Sequence, residues 1–332
     1  MRFATGFVST DHFEYPPAQF RGRNWRIRFV PQTEARSTTS RRLGNSVIAS
    51  KEVFIIAKSK TVARRVASNV VGAMTLLEGS SVLIGNVSDA LDWQHDPPSN
   101  IKRLHAIRSW SMRGFPLACR IAARVSYSLR LQYALAKFKL SCETSSFDWI
   151  DLDPDHSETI PRWHRAEDHV RLATAIVLAY SVLEELGLEV RASASNPSSI
   201  NGQWNPVVKR ELEDRLKRAG IDLSDPVVWS VRGGKSRLEA ERPEHLYATS
   251  TRTPWTRWDI RDRHVEVVDA IGHASFLRSK VSSHRLKPSW VRMLSAYDVA
   301  NVQHLARRLF LETVGYWPPY KMLKKRYQPK FA

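Results

Sequence analysis

The segment from Glu167 to Val190 constrains the fold more than any other, because apolar residues occupy almost every side of the helix it predicts. Such a helix is expected at the centre of a core, with Leu178 among its buried residues. Its most apolar run, Leu172 to Leu183, contains Thr, Tyr and Ser and is about 12 residues long, too short to cross a bilayer. Other helices must therefore cover it.

Three further helices are predicted after this central one. In the second, Asn205 can cap the start, Pro206 fits the first helical position and Gly220 ends the helix. The three predicted ranges are Pro206 to Ala219, Asp259 to His284 and Ser295 to Val314. Residues 165–317 are therefore predicted to form a four-helix bundle, with a long irregular excursion over residues 221–258.

The first half of the chain mixes strands and helices. Phe20 to Phe29 alternates around Trp25, Ile27 and Phe29 with arginines between them, and Glu52 to Ala57 is a short apolar run, so both predict strands. A helix with Val62, Val66, Val70 and Leu77 near one face is predicted next, with Arg64 and Arg65 off that face. Residues 116–140 predict a longer helix, whose apolar stripe is Leu117, Ile121, Val125, Leu129 and Tyr133.

An acidic, proline-containing stretch at residues 147–158 separates the two halves and predicts a domain boundary. The expected fold is therefore α+β. A mixed strand and helix domain would cover residues 1–150, the helical bundle 165–317, and a basic tail 318–332.

A large basic surplus is the first sign of function. Lys plus Arg number 51 against 33 Asp plus Glu, a net charge of +18, which attracts RNA, an anionic membrane or an acidic protein. Between residues 101 and 140 there are nine Lys or Arg and no acid. RNA is the predicted partner and no membrane association is expected. The predicted nucleic-acid-binding residues are Arg113, Arg120, Arg124, Arg130, Lys137, Lys280 and Arg285.

The histidines and cysteines do not form a metal-binding pattern. His156, His164 and His169 lack zinc-site spacing, and Cys119 and Cys142 are the only cysteines. We expect no metal and no small-molecule cofactor, and two reduced thiols in a reducing compartment. The first residues lack the apolar region of a secretory signal, so the expected location is the cytoplasm.

One polar pair in the third predicted helix has the chemistry of a catalytic site. Arg278 and His284 are six residues apart, which places them on different faces of a straight helix. They can converge only if the helix ends near Ser282 or Ser283, an end that Pro288 favours.

This arrangement resembles the HEPN superfamily of helical-bundle proteins, and more closely its Apea-like branch. The resemblance covers roughly residues 165–317. It is carried by LRSKVSSH, which holds Arg278 and His284, by VLEELGLEV ending the first helix, and by YDVANVQHLARRLFLE in the last. Many active members have Asn or Asp after the arginine, whereas this chain has Ser279.

The resemblance implies metal-independent cleavage of RNA by Arg278 and His284, in a bacterial antiviral defence or toxin system. It also implies a homodimer through the helical bundle. Glu184 or Glu185 could then orient the imidazole or the guanidinium. Two other classes stay open: a nucleic-acid-binding protein without chemistry, favoured by Ser279 and the charge, and a structural subunit that assembles with an acidic partner.

Overall fold

The computed structural model describes residues 2–4, 19–30, 52–79, 116–145, 164–232, 260–282, 294 and 296–318. Helices and antiparallel strands are both present, in agreement with the α+β prediction. These residues belong to two compact units, one ending at Gln132 and one running from Tyr133 to Pro318. This division precedes the predicted boundary at 147–158, a stretch that lies outside the described residues, as does the tail after Pro318.

The first unit contains a four-stranded antiparallel sheet in the order β1-β4-β3-β2. The strands are β1 (Arg2–Ala4), β2 (Gln19–Gly22), β3 (Trp25–Val30) and β4 (Glu52–Ala57). The single strand predicted at 20–29 is in fact a hairpin, because Asn24 adopts a positive φ of 64° and reverses the chain. Trp25 and Ile27 are buried and Arg26 is exposed, which confirms the predicted alternation.

Gly22 is required where β2 approaches β3. A Cβ atom at this position would lie 2.1 Å from the indole of Trp25, which is its partner across the strand pair. The absence of a side chain therefore allows the indole to lie across the backbone of β2 and stay buried.

Helix α1 (Lys60–Glu78) packs against this sheet. The Ser59 hydroxyl caps its start by accepting from the Val62 N–H at 3.3 Å, and Gly79 ends it with φ 74°. The predicted face is confirmed for most of its length: Val66, Val70 and Leu77 are buried, Val62 is half-buried, and Arg64 and Arg65 are exposed.

The helix predicted over residues 116–140 is broken into α2 (residues 116–125) and α3 (Leu129–Thr144). Ser126 and Ser128 break it, because their hydroxyls hydrogen-bond to nearby backbone groups in place of a continuous helix. The break also changes which residues are buried. Leu117, Ile121 and Val125 are buried as predicted, but Leu129 and Tyr133 are exposed.

The second unit is built around α4 (His164–Leu186), which packs against α7 (Ala296–Thr313). Its core side chains include Ile176, Leu183, Leu305 and Leu309. The prediction that α4 is buried on almost every side was wrong. Val170 is exposed and Leu178 only half-buried, because the neighbouring elements leave part of the helix open to solvent.

The remaining helices of this unit are α5 (Pro206–Arg218) and α6 (Val267–Phe276). Helix α5 begins and ends close to the predicted residues, with the Asn205 side chain capping the Val207 N–H at 3.1 Å. A short hairpin of β5 (Ser199–Ile200) and β6 (Gln203–Trp204) precedes it.

The third predicted helix starts too early. Residues assigned to its first turns form strand β8 (Ile260–Val265), which pairs antiparallel with β7 (Val227–Arg232) in the excursion expected to be irregular. Trp229 of β7 is fully buried beside the His273 ring. The pairing with β7 gives the backbone N–H and C=O groups of β8 the hydrogen-bond partners that a helix would otherwise provide. Helix α6 therefore begins only at Val267.

Two amide side chains of α7 form hydrogen bonds to other elements of the second unit. The Gln303 amide donates to the hydroxyls of Ser141 (2.9 Å) and Ser145 (2.8 Å), and Ser141 donates in turn to the Ala175 carbonyl on α4. Asn301 accepts from the Ser230 N–H at 2.8 Å and donates to its carbonyl at 2.7 Å, so α7 also holds β7. These bonds satisfy polar groups buried with the core.

Candidate functional site

The site that the sequence predicts around Arg278 lies on an unusual turn. Helix α6 continues into a π-helical segment, Leu277–Ser282, whose turn is wider than that of an α-helix. Within it, the Ser279 hydroxyl donates to the Ser275 carbonyl at 2.6 Å. Single π-helical turns inside helices occur frequently at functional sites, because they shift side chains out of helical register.

Arg278 contacts two residues of α4. Its Nη2 lies 3.1 Å from Glu184 Oε1, and its guanidinium carbon lies 5.8 Å from the centre of the Tyr180 ring. Tyr180 and Glu184 are one helical turn apart and share a face of α4. The Arg278 side chain is 40% exposed and that of Glu184 33%. The guanidinium is thus oriented by protein groups and still open to a ligand.

Tyr180 is itself firmly placed. Its hydroxyl accepts a hydrogen bond from the Val190 N–H at 3.1 Å and is hydrogen-bonded to Ser275. Burial raises its pKa, so the phenol stays neutral at physiological pH. The ring therefore provides a fixed aromatic surface beside the Arg278 guanidinium. No motif in the sequence marks Tyr180 as part of the site, although its spacing of four residues places it beside Glu184 on the helix.

The two adjacent glutamates predicted as orienting residues have different partners. Glu184 pairs with Arg278, whereas Glu185 Oε1 accepts from Lys137 Nζ of α3 at 2.7 Å. Glu184 is therefore the one beside the candidate arginine. Lys137, predicted to bind nucleic acid, is paired with this carboxylate, and its binding role stays a prediction.

Several predicted residues cannot be placed relative to this site. Arg113, His284 and Arg285 lie outside the described residues, and Lys280 is described only as part of the π-helical backbone. The predicted convergence of Arg278 and His284 thus remains a prediction.

The other predicted binding residues, Arg120, Arg124 and Arg130, are all exposed. Arg120 and Arg124 lie one turn apart on α2, and Arg130 lies in the first turn of α3. No acid occurs between residues 116 and 142. These three cations are in the first unit, whereas Arg278 is in the second.

His273 and the two cysteines have structural surroundings. His273 is buried edge-on against Trp229, with ring centres 4.7 Å apart. Both cysteines are buried free thiols, and burial raises the pKa of Cys142 to about 12, which keeps it protonated and unreactive. Within the part of the chain that the structure describes, no three His, Cys, Asp or Glu side chains are grouped to hold a metal ion.

None of the described helices has the length and apolarity that crossing a membrane requires. Comparisons of the chain with protein-family models, with curated proteins and with solved structures give no match. The features that bear on function are therefore the geometry around Arg278 and the exposed arginines of the first unit.

Proposed function

We propose that this protein is a metal-independent endoribonuclease in which residues 165–317, within the second unit, are a HEPN-like helical bundle carrying Arg278 and His284. The observation that supports this most is Arg278, whose guanidinium lies 3.1 Å from Glu184 and beside Tyr180 while its side chain is 40% exposed. A guanidinium has five N–H donors in a planar fork, so pairing with one carboxylate leaves donors for a phosphate.

The reaction proposed is transesterification within the RNA chain. The ribose 2′-hydroxyl attacks the adjacent phosphorus, a P–O bond to the 2′ oxygen forms, and the bond to the 5′ oxygen of the next nucleotide breaks. An imidazole titrates near neutral pH, so His284 would accept the 2′-hydroxyl proton or protonate the departing 5′ oxygen, with a water molecule making the other transfer. Arg278 would bind the phosphate oxygens as negative charge builds on them. The products are a 2′,3′-cyclic phosphate and a 5′-hydroxyl.

Glu184 has a positioning role in this proposal. It does not contact the phosphate, because two anions would repel. Its carboxylate instead fixes one edge of the Arg278 guanidinium, and Tyr180 limits the movement of its plane. A pre-oriented cation loses less conformational freedom when the phosphate binds, which favours the transition state.

The direct test is an RNA substrate incubated with the purified protein in EDTA. Cleavage with 2′,3′-cyclic phosphate ends is expected, and a substrate with a single 2′-deoxyribose at the cut position should stay intact there. Cleavage that requires a divalent metal, or that leaves a 3′-hydroxyl, contradicts the mechanism. In a bacterial defence or toxin setting, cytoplasmic expression of the active protein should also arrest growth.

A homodimer is the second part of the proposal. Tyr133, Ala136 and Leu140 lie on one exposed face of α3 at spacings of three and four residues, as in a helix that pairs with another helix. Light scattering should give a dimer for the wild type and a monomer for Leu140→Glu. Val207→Glu changes an equally exposed residue of α5 and should leave the dimer intact. A monomeric wild type contradicts this part.

A second candidate function is RNA binding without cleavage, and the side chain of Ser279 favours it. The Ser279 hydroxyl, at the position where many active HEPN members carry Asn or Asp, donates to the Ser275 carbonyl. A bundle without a suitable side chain there would bind RNA through its arginines and not cut it. Tight RNA binding with no cleavage under any condition would favour this function. Assembly with an acidic protein, the third class, predicts no RNA binding at moderate salt.

A further inference from the structure

The junction of α2 and α3 presents cations and an aromatic ring together. Arg120 and Arg124 are exposed on one face of α2, Tyr127 is 64% exposed in the turn that follows, and Arg130 is exposed at the start of α3. We call these four residues the arginine–tyrosine surface. All four belong to the first unit.

This surface rests on a well-anchored turn. The Ser126 hydroxyl accepts from the Arg23 N–H at 3.0 Å and donates to the Ala123 carbonyl at 2.7 Å. The Ser128 hydroxyl caps the Leu131 N–H at 3.3 Å, and the Gln132 side chain donates to the Ser126 carbonyl at 3.4 Å. The turn is therefore fixed on both sides of Tyr127, while Ala118 and Ala122, on the other side of α2 from the arginines, are buried.

Charge determines what this surface can accept. No Asp or Glu occurs from residue 116 to residue 142, and within the described part of the chain neither Arg120 nor Arg124 forms an ion pair. Arg124 and Arg130 each lie three residues from the exposed Tyr127, so cations flank the ring in the sequence, and an anion is the complementary partner.

We infer that the arginine–tyrosine surface binds single-stranded nucleic acid, with phosphates on the arginines and an unpaired base stacked on Tyr127. Stacking on an exposed aromatic ring requires a base that is free of its own helix, and this combination of ring and cations is typical of single-strand binding. The inference rests on the proposed function in one respect: it specifies which form of RNA the protein holds before cutting it.

The experiment uses the full-length protein and a labelled 2′-O-methyl oligoribonucleotide, which has no free 2′-hydroxyl and so reports binding without cleavage. Fluorescence anisotropy is measured on the single strand and on the duplex of the same sequence. Tyr127→Ala should weaken single-strand binding roughly five- to hundredfold, the range for loss of one stacked base. Tyr127→Phe keeps the ring and should stay within about twofold.

Removing charge gives an independent signal. Replacing Arg120, Arg124 and Arg130 by alanine should weaken binding and reduce the slope of log affinity against log salt by about 2, at roughly 0.7 for each phosphate contact. The matched control replaces three exposed cations of α5, Arg210, Lys217 and Arg218, and changes the net charge equally. Its salt slope should stay unchanged. Tyr297→Ala, a second exposed tyrosine, controls for loss of a ring.

Single-strand affinity unchanged in Tyr127→Ala, or duplex bound as tightly as single strand, overturns the inference. So does a triple-arginine variant that keeps its RNA affinity but no longer binds phosphatidylserine vesicles, since that outcome assigns the surface to a membrane. Because the oligonucleotide cannot be cut, failure of the ribonuclease proposal leaves this measurement unaffected, and the two can fail separately.

Discussion

The Glu184 carboxylate and the Arg278 guanidinium meet at 3.1 Å, joining the central helix α4 to the π-helical turn after α6. The pair is partly exposed, so its ionic attraction contributes little to stability. The main effect of the pair is to orient the Arg278 side chain, which could otherwise take several rotamers. The adjacent Glu185 pairs with Lys137 instead, which makes the two glutamates a natural comparison.

Glu184→Gln should impair RNA cleavage more than Glu185→Gln does. Glutamine is the same size as glutamate but lacks the charge that holds Arg278, so kcat/KM should fall about ten- to hundredfold through poorer positioning. Glu185→Gln breaks the ion pair with Lys137, which does not include Arg278, and should stay within about threefold of the wild type. Equal effects of the two substitutions would show that Glu184 has no special role.

Core truncations should distinguish the two sides of α4. Leu183 is fully buried, so Leu183→Ala should lower the free energy of unfolding by about 2–5 kcal/mol. Leu178 is half-buried and fewer of its contacts are lost, so Leu178→Ala should cost less. Urea denaturation of both variants measures the difference. A larger loss at Leu178 would mean that the opposite side of α4 faces the core.

Asn301 is predicted to hold β7 in place. Asn301→Ala removes two hydrogen bonds with the Ser230 backbone and should destabilise the protein by about 1–3 kcal/mol. Asn301→Asp keeps the acceptor but brings a carboxylate to the Ser230 carbonyl, so it should be at least as damaging. Urea denaturation tests both, and a loss below about 0.5 kcal/mol in either would exclude this role.

Local sequence signals predicted many of the helices and strands, but the pairing between distant segments was missed. The cap at Asn205, Pro206 and the glycine at 220 located α5 to within a residue, because these effects act over one helical turn. The β7–β8 pairing was missed because the residues of each strand do not indicate which distant segment of the chain pairs with it. Ser126 and Ser128 are a local signal for the break between α2 and α3. The apolar stripe through residues 117–133 favoured one continuous helix instead.

The candidate site was only partly predictable for the same reason. The sequence identified Arg278 and two adjacent glutamates, but it could not decide which carboxylate meets the guanidinium. That choice depends on the packing of α4 between α3 and the π-helical turn, a tertiary property. The π-helical turn itself has no sequence signature comparable to a cap or a proline.

Stability should decrease in mild acid. Burial lowers the pKa of His169, and burial together with Arg307 and Arg308 lowers that of His304. These histidines therefore bind protons near pH 6.5 in the unfolded chain but only at lower pH in the folded protein. Their contribution to the free energy of unfolding is complete above about pH 6.5 and is lost as the pH falls below it. His169→Leu should flatten this dependence in urea denaturation between pH 5 and pH 7.5. An unchanged pH profile in that variant would contradict the assignment.

The central claim is that Arg278 and His284 cut RNA without a metal. The most direct measurement is the single-turnover cleavage rate in EDTA, with product ends analysed for a 2′,3′-cyclic phosphate. Arg278→Ala and His284→Ala should each abolish cleavage and keep binding to the 2′-O-methyl oligonucleotide, because both groups act mainly on the transition state. Arg191→Ala, which removes an exposed arginine paired with Glu189, is the matched control and should cut at the wild-type rate. Cleavage that persists in Arg278→Ala and His284→Ala would contradict the account.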